Sequence, residues 1–133
     1  MKIPEVLAPA GSYEAMKAAF RGGADGVYMG GHKFGARAYA DNPDDDMLKN
    51  AVSYANLRGK KLYLTINTLL KDREKDEFEA FLRPLYKEGL NGVIVQDTGI
   101  LKLLKEEFPG LPVHTSTQMT VTTGLWADIL KEY

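Results

Sequence analysis

Gly23-Ala24-Asp25-Gly26-Val27-Tyr28-Met29 and Gly89-Leu90-Asn91-Gly92-Val93-Ile94-Val95 follow one pattern. A glycine ends one element, an Asx-Gly pair turns the chain, and a short unbroken apolar run begins. Apolar residues at both alternating positions suit a parallel strand covered on both faces. Outward from these two segments, residues 5–8, 61–66 and 112–116 read as further short strands. Between them, apolar residues recur at the spacing of one helix face. Examples are Tyr13, Met16 and Phe20, then Leu48, Val52 and Ala55, then Phe78, Leu82 and Leu85. Leu101, Leu104 and Phe108 continue the pattern, as do Trp126, Ile129 and Leu130. Stop and start signals agree: Ser12 can cap the first helix, Asn42 with Pro43 opens the second, and Gly59 closes it. Gly89 closes the third helix, and Pro109-Gly110 the fourth.

Strand–helix alternation of this kind builds a parallel sheet through right-handed crossovers, so the class is α/β. About five parallel βα units fit two architectures. One is a partial TIM-type (β/α) barrel, whose complete form takes about 250 residues. The other is a flavodoxin-like open parallel sheet, which would make the chain a self-contained ligand-binding or oligomerisation domain without catalysis. On the barrel reading, residues 1–133 are a single α/β domain and the N-terminal portion of a larger protein. The first and fifth strands are then unpaired edges, and the chain is expected to form a homo-oligomer through them.

Bulk composition narrows the chemistry. Lys+Arg total 17 against Asp+Glu 18, leaving a net charge of -1 and no basic surplus for free-standing nucleic-acid binding. There is no cysteine, which removes thiol nucleophiles, disulfides and cysteine-ligated metal from this stretch. No metal site is expected. No apolar run approaches the roughly 20 residues of a membrane span, and the first residues lack a signal-peptide core. The expectation is a cytoplasmic protein with no membrane contact.

In parallel α/β folds, function gathers where strands end. The connection after the second strand holds Gly30, Gly31 and Arg37; its glycines allow close backbone approach, and Arg37 offers charge to a phosphate or carboxylate. The third strand ends at Asn67, the fourth at Asp97, and the fifth runs through His114 toward Gln118. Polar groups there form a hydrogen-bonded network or a ligand site. Asp97 and His114 end adjacent strands and are the candidate catalytic acid/base pair. The structural alternative makes Asp97 a helix cap and His114 a satisfied core residue. Gly30, Gly31, Arg37, Asn67 and Gln118 are the candidate substrate-binding residues. Asp44-Asp45-Asp46 reads as charge complementing a helix N-terminus rather than a metal cluster.

Several segments together resemble the N-terminal region of the peptidase U32 family, the collagenase-like proteases. They are Glu5 through Gly11, Gly23 through Gly31, Phe34 through Arg37, Asn67-Thr68, Val95 through Gly99, and His114 through Gln118. The resemblance implies a (β/α) barrel followed by a Cys-rich region. It implies a parent that is a peptidase or supports hydroxylation of RNA bases or of ubiquinone, acting on a peptide or RNA substrate. Some members bind an iron–sulfur cluster through downstream cysteines; no cofactor is expected in this chain itself, and the fragment alone is expected to be inactive.

Overall fold

The computed structural model describes residues 3–36 and 42–132. The two glycines that open the repeated pattern, Gly23 and Gly89, sit at φ 101° and 91°, where a side chain would be strained. Each turn leads into a strand: β2 (Gly26–Gly30) and β4 (Gly92–Val95). The second turn is held by its own Asx side chain, because Asn91 Oδ1 accepts the Leu62 N–H at 2.7 Å. The remaining strands are β1 (Leu7–Pro9), β3 (Lys61–Ile66) and β5 (Val113–Thr115). Among the described residues, five α-helices alternate with them: α1 (Tyr13–Arg21), α2 (Asp45–Asn56), α3 (Lys75–Lys87), α4 (Thr98–Glu107) and α5 (Gly124–Leu130).

All four strand pairings are parallel, and the order is β1-β2-β3-β4-β5. A flavodoxin-like sheet would run 2-1-3-4-5 and place its crevice where the order reverses. This sheet has no reversal. It is open, with β1 and β5 as its edges, and its consecutive order is the one a barrel wall requires.

Consecutive order with right-handed crossovers sends every helix to the same side of the sheet. The expectation of strands covered on both faces is corrected accordingly. In β3, Leu62, Leu64 and Ile66 are buried against helices, while Lys61, Tyr63 and Thr65 are only half-buried on the other face. The core therefore lies between one sheet face and the helices. Val27, Met29, Val93 and Val95 supply the sheet side, and Leu48, Val52, Phe78, Leu82 and Leu104 the helix side, all at 1% exposure or less.

Two boundaries shift for identifiable reasons. The first strand begins at Leu7 because the Val6 N–H is taken by the Asp25 carboxylate, 2.9 Å away. The second helix is capped by Asp44, whose Oδ1 accepts the Met47 N–H at 2.8 Å, rather than by Asn42. Among the described residues, no helix is long and apolar enough to cross a membrane.

The Asp25 clamp predicts a pH dependence. The Val6 N–H, followed by Lys60 and Lys61, holds the Asp25 carboxyl below its ordinary value. A depressed folded-state pKa stabilises the fold above the unfolded-state value, near about 4, and that contribution fades as pH falls through the folded value. Asp25→Asn should thus be less stable than the parent at neutral pH. The gap should close in acid, as read by urea unfolding across the pH range.

Candidate functional site

The helix-free sheet face is built by register. Tyr28 pairs with Tyr63, Gly30 with Thr65, Thr65 with Ile94, and Ile94 with His114. Of these, Tyr28, Tyr63, Thr65, Ile94 and His114 line a groove of about 600 Å³ that runs from Glu5 and Leu7 up to Asn67 and Ser116. Glycines on the flanking strands shape it. A Cβ on Gly26 would lie 3.2 Å from Tyr63 Cε2, and one on Gly92 would lie 3.0 Å from Tyr63 Cδ1. The Tyr63 ring can therefore lie across the sheet. His114 meets it edge-on, with centroids 5.1 Å apart and planes at 87°. At the lower end Lys61 pairs with Glu5, and that hydrogen bond raises the Lys61 pKa.

The strand tips behave differently. Asn67 Oδ1 accepts the Ala36 N–H at 3.0 Å, and the Asn67 carbonyl accepts the Gln96 amide at 2.8 Å. The Thr68 hydroxyl donates to the Phe34 carbonyl at 2.9 Å. These bonds pin the connection after β2 against the end of β3, including Phe34 at φ 59°.

Asp97 caps α4 through Oδ1, 2.8 Å from the Gly99 N–H, and accepts the Leu70 N–H through Oδ2 at 3.0 Å. It borders a separate cleft of about 420 Å³ with Leu70, Lys71 and Lys102. Among the described residues, no ion pair or hydrogen bond joins Asp97 to His114. Both Asp97 oxygens are committed to backbone N–H groups, so the expected pair is not assembled. The structure brings His114 and Asn67 into one groove and leaves Asp97 outside it.

Gly30 backs onto the groove, where a Cβ would sit 3.1 Å from Thr65 Oγ1. Gly31 packs on the helix side, where a Cβ would meet Leu48 Cδ1 at 2.8 Å. Gln118 is exposed in a 3-10 turn (Thr117–Met119), bonded to the Ser116 hydroxyl at 3.3 Å. Arg37 lies outside the described residues. No cluster of three His, Cys, Asp or Glu residues suited to a metal occurs among the described residues. Attention to strand ends passed over Tyr28, Tyr63 and Thr65. The signal was present in β3, where Lys61, Tyr63 and Thr65 alternate with Leu62, Leu64 and Ile66.

Comparison with known proteins places this architecture. The sequence profile of peptidase family U32 matches residues 11–133. The chain belongs to peptidase family U32. This U32 chain is 35% identical over 131 residues to the tRNA hydroxylation protein P1 of Bacillus subtilis (strain 168), covering 98% of the chain and 31% of that relative. It is 39% identical over 128 residues to a 23S rRNA 5-hydroxycytidine synthase of Escherichia coli (strain K12), covering 96% of the chain and 19% of the relative. A collagenase of Porphyromonas gingivalis (strain ATCC BAA-308 / W83) is 32% identical over 131 residues, with 97% and 30% covered. The U32 chain thus spans less than a third of the length of these curated relatives. The solved structure of the U32 peptidase Mk0906 superposes with a TM-score of 0.76 at 17% identity, over 99% of this chain and 57% of that one. At that identity the likeness concerns the fold.

Proposed function

We propose that the U32 chain forms one wall of a (β/α) barrel acting in the hydroxylation of RNA bases, with its helix-free face holding the base. The observation that carries this is the groove itself, where Tyr28, Tyr63 and His114 give ring surfaces on a face no helix covers. Two similar relatives are named for hydroxylation of tRNA and rRNA. Peptide hydrolysis needs an activated nucleophile or water, and the polar tips are otherwise engaged: Asp97 caps a helix, and Ser116 bonds Gln118. A cysteine-held iron–sulfur cluster does not fit these residues, which include no cysteine, and no step is assigned through one. Such a group would be ligated by other sequence. On this reading the protein works in the cytoplasm, where its RNA is, and the edges of β1 and β5 pair with further strands or with a second copy.

The test is mass spectrometry of nucleosides from tRNA and rRNA of cells with and without the gene. A nucleoside heavier by one oxygen should be lost on deletion. Unchanged nucleosides, combined with release of peptides from gelatin by the purified protein, would replace this reading with a peptidase.

A further inference from the structure

The hydrogen-bonding capacity of the site is unevenly spent. At the strand tips, Asn67, Thr68, Gln96 and both Asp97 oxygens are bonded within the fold. Mid-strand, the Tyr63 hydroxyl, Thr65 Oγ1 and the His114 ring nitrogens make no hydrogen bond among the described residues, although all three line the same groove. Tyr63 and Thr65 are half-buried, where a polar group costs desolvation unless a partner completes it, while His114 is exposed at the edge of the groove. Among the described residues, the only carboxylate lining the groove is Glu5, and Lys61 pairs it. That leaves a neutral site walled by the nearly perpendicular rings of Tyr63 and His114, suited to an uncharged planar ring rather than to a phosphate or carboxylate.

We infer that Tyr63, Thr65 and His114 form a binding site for the ring of an unpaired nucleobase, stacked on Tyr63 and read along its edge by Thr65 and His114. Three placements support it. Tyr63 and Thr65 stand two residues apart on one strand and so point to the same face. His114 reaches the same ring from two strands away. Gly30, in register with Thr65, has no side chain to cover the hydroxyl, which a Cβ would approach to 3.1 Å. A base inside a duplex presents no free face, so the nucleotide must be single-stranded or extruded. The hydroxyl and imidazole can each donate or accept, so they read an edge that mixes both. The strand tips hold the frame, and the row one step inside does the recognising.

This inference rests on reading the groove as the base-holding wall, and its test separates the two. The 133-residue protein is titrated with a single-stranded cytidylate hexamer and, in parallel, with an abasic ribose-phosphate oligomer of equal length. Tyr63→Leu should weaken hexamer binding roughly tenfold or more through lost stacking. Thr65→Val, nearly isosteric, should weaken it roughly fivefold, with Thr65→Ser restoring it. Equal binding of the abasic oligomer, or an unaffected Thr65→Val, overturns the site. Capture of a proline-rich collagen peptide in place of the hexamer overturns it as well. If Thr65→Val weakens hexamer binding as expected while gene deletion leaves cellular nucleosides unchanged, the site stands and the hydroxylation reading falls.

Discussion

Replacing Phe78 with alanine is expected to lower the unfolding free energy by about 3–5 kcal/mol. Phe78 is fully buried on α3 and is among the largest side chains in the core. Its ring meets Phe34 edge-on at 5.4 Å, and Phe34 also touches Phe81 at 5.5 Å. Phe34 lies outside regular structure at φ 59°, in the connection that Asn67 and Thr68 tie to the end of β3. Removing Phe78 therefore opens a cavity and takes away the surface on which that connection rests. For a chain of this size, each kcal/mol moves the melting midpoint by about 3–5 °C, so the fall should be roughly 10–20 °C. Thermal unfolding followed by circular dichroism reads it directly. A loss below about 1 kcal/mol would mean that Phe34 does not seat on this core and that the groove mouth is framed some other way.

The legible part of this fold is the part written in turns and periodicity. Asx-Gly pairs before Val27 and Val93 locate two strands because the turn chemistry is local, and Gly89 and Gly110 end helices in left-handed geometry for the same reason. Strand order is not local. Nothing in residues 26–30 states whether β3 lies beside β2 or beyond it, so barrel-like and flavodoxin-like orders stayed open until pairing was known. The site shows the same division. His114 and Asn67 were found by asking where strands end, and both line the groove. Tyr63 and Thr65 were overlooked because a strand assumed to be covered on both faces has no face left to read. Once all helices fall on one side, the polar alternation of β3 becomes a map of the other.

The same distinction governs Asp97, which the sequence offers both as a catalytic candidate and as a helix cap, and whose two carboxylate oxygens accept backbone N–H groups. Asp97→Ala should cost about 2–3 kcal/mol, since it removes the α4 cap and a second hydrogen bond to a charged acceptor. Both bonds run to backbone N–H groups, of Gly99 and Leu70, and their loss frees the start of α4 and the segment leading to α3 together. His114→Ala, at an exposed position with one ring contact, should change stability by no more than about 0.5 kcal/mol. The decisive quantity is the double-mutant cycle measured by urea unfolding. Residues that share no partner should give additive effects within about 0.5 kcal/mol. A coupling well above that would show that the carboxylate and the imidazole meet in solution, restore the acid/base pair, and take Asp97 away from the helix it caps.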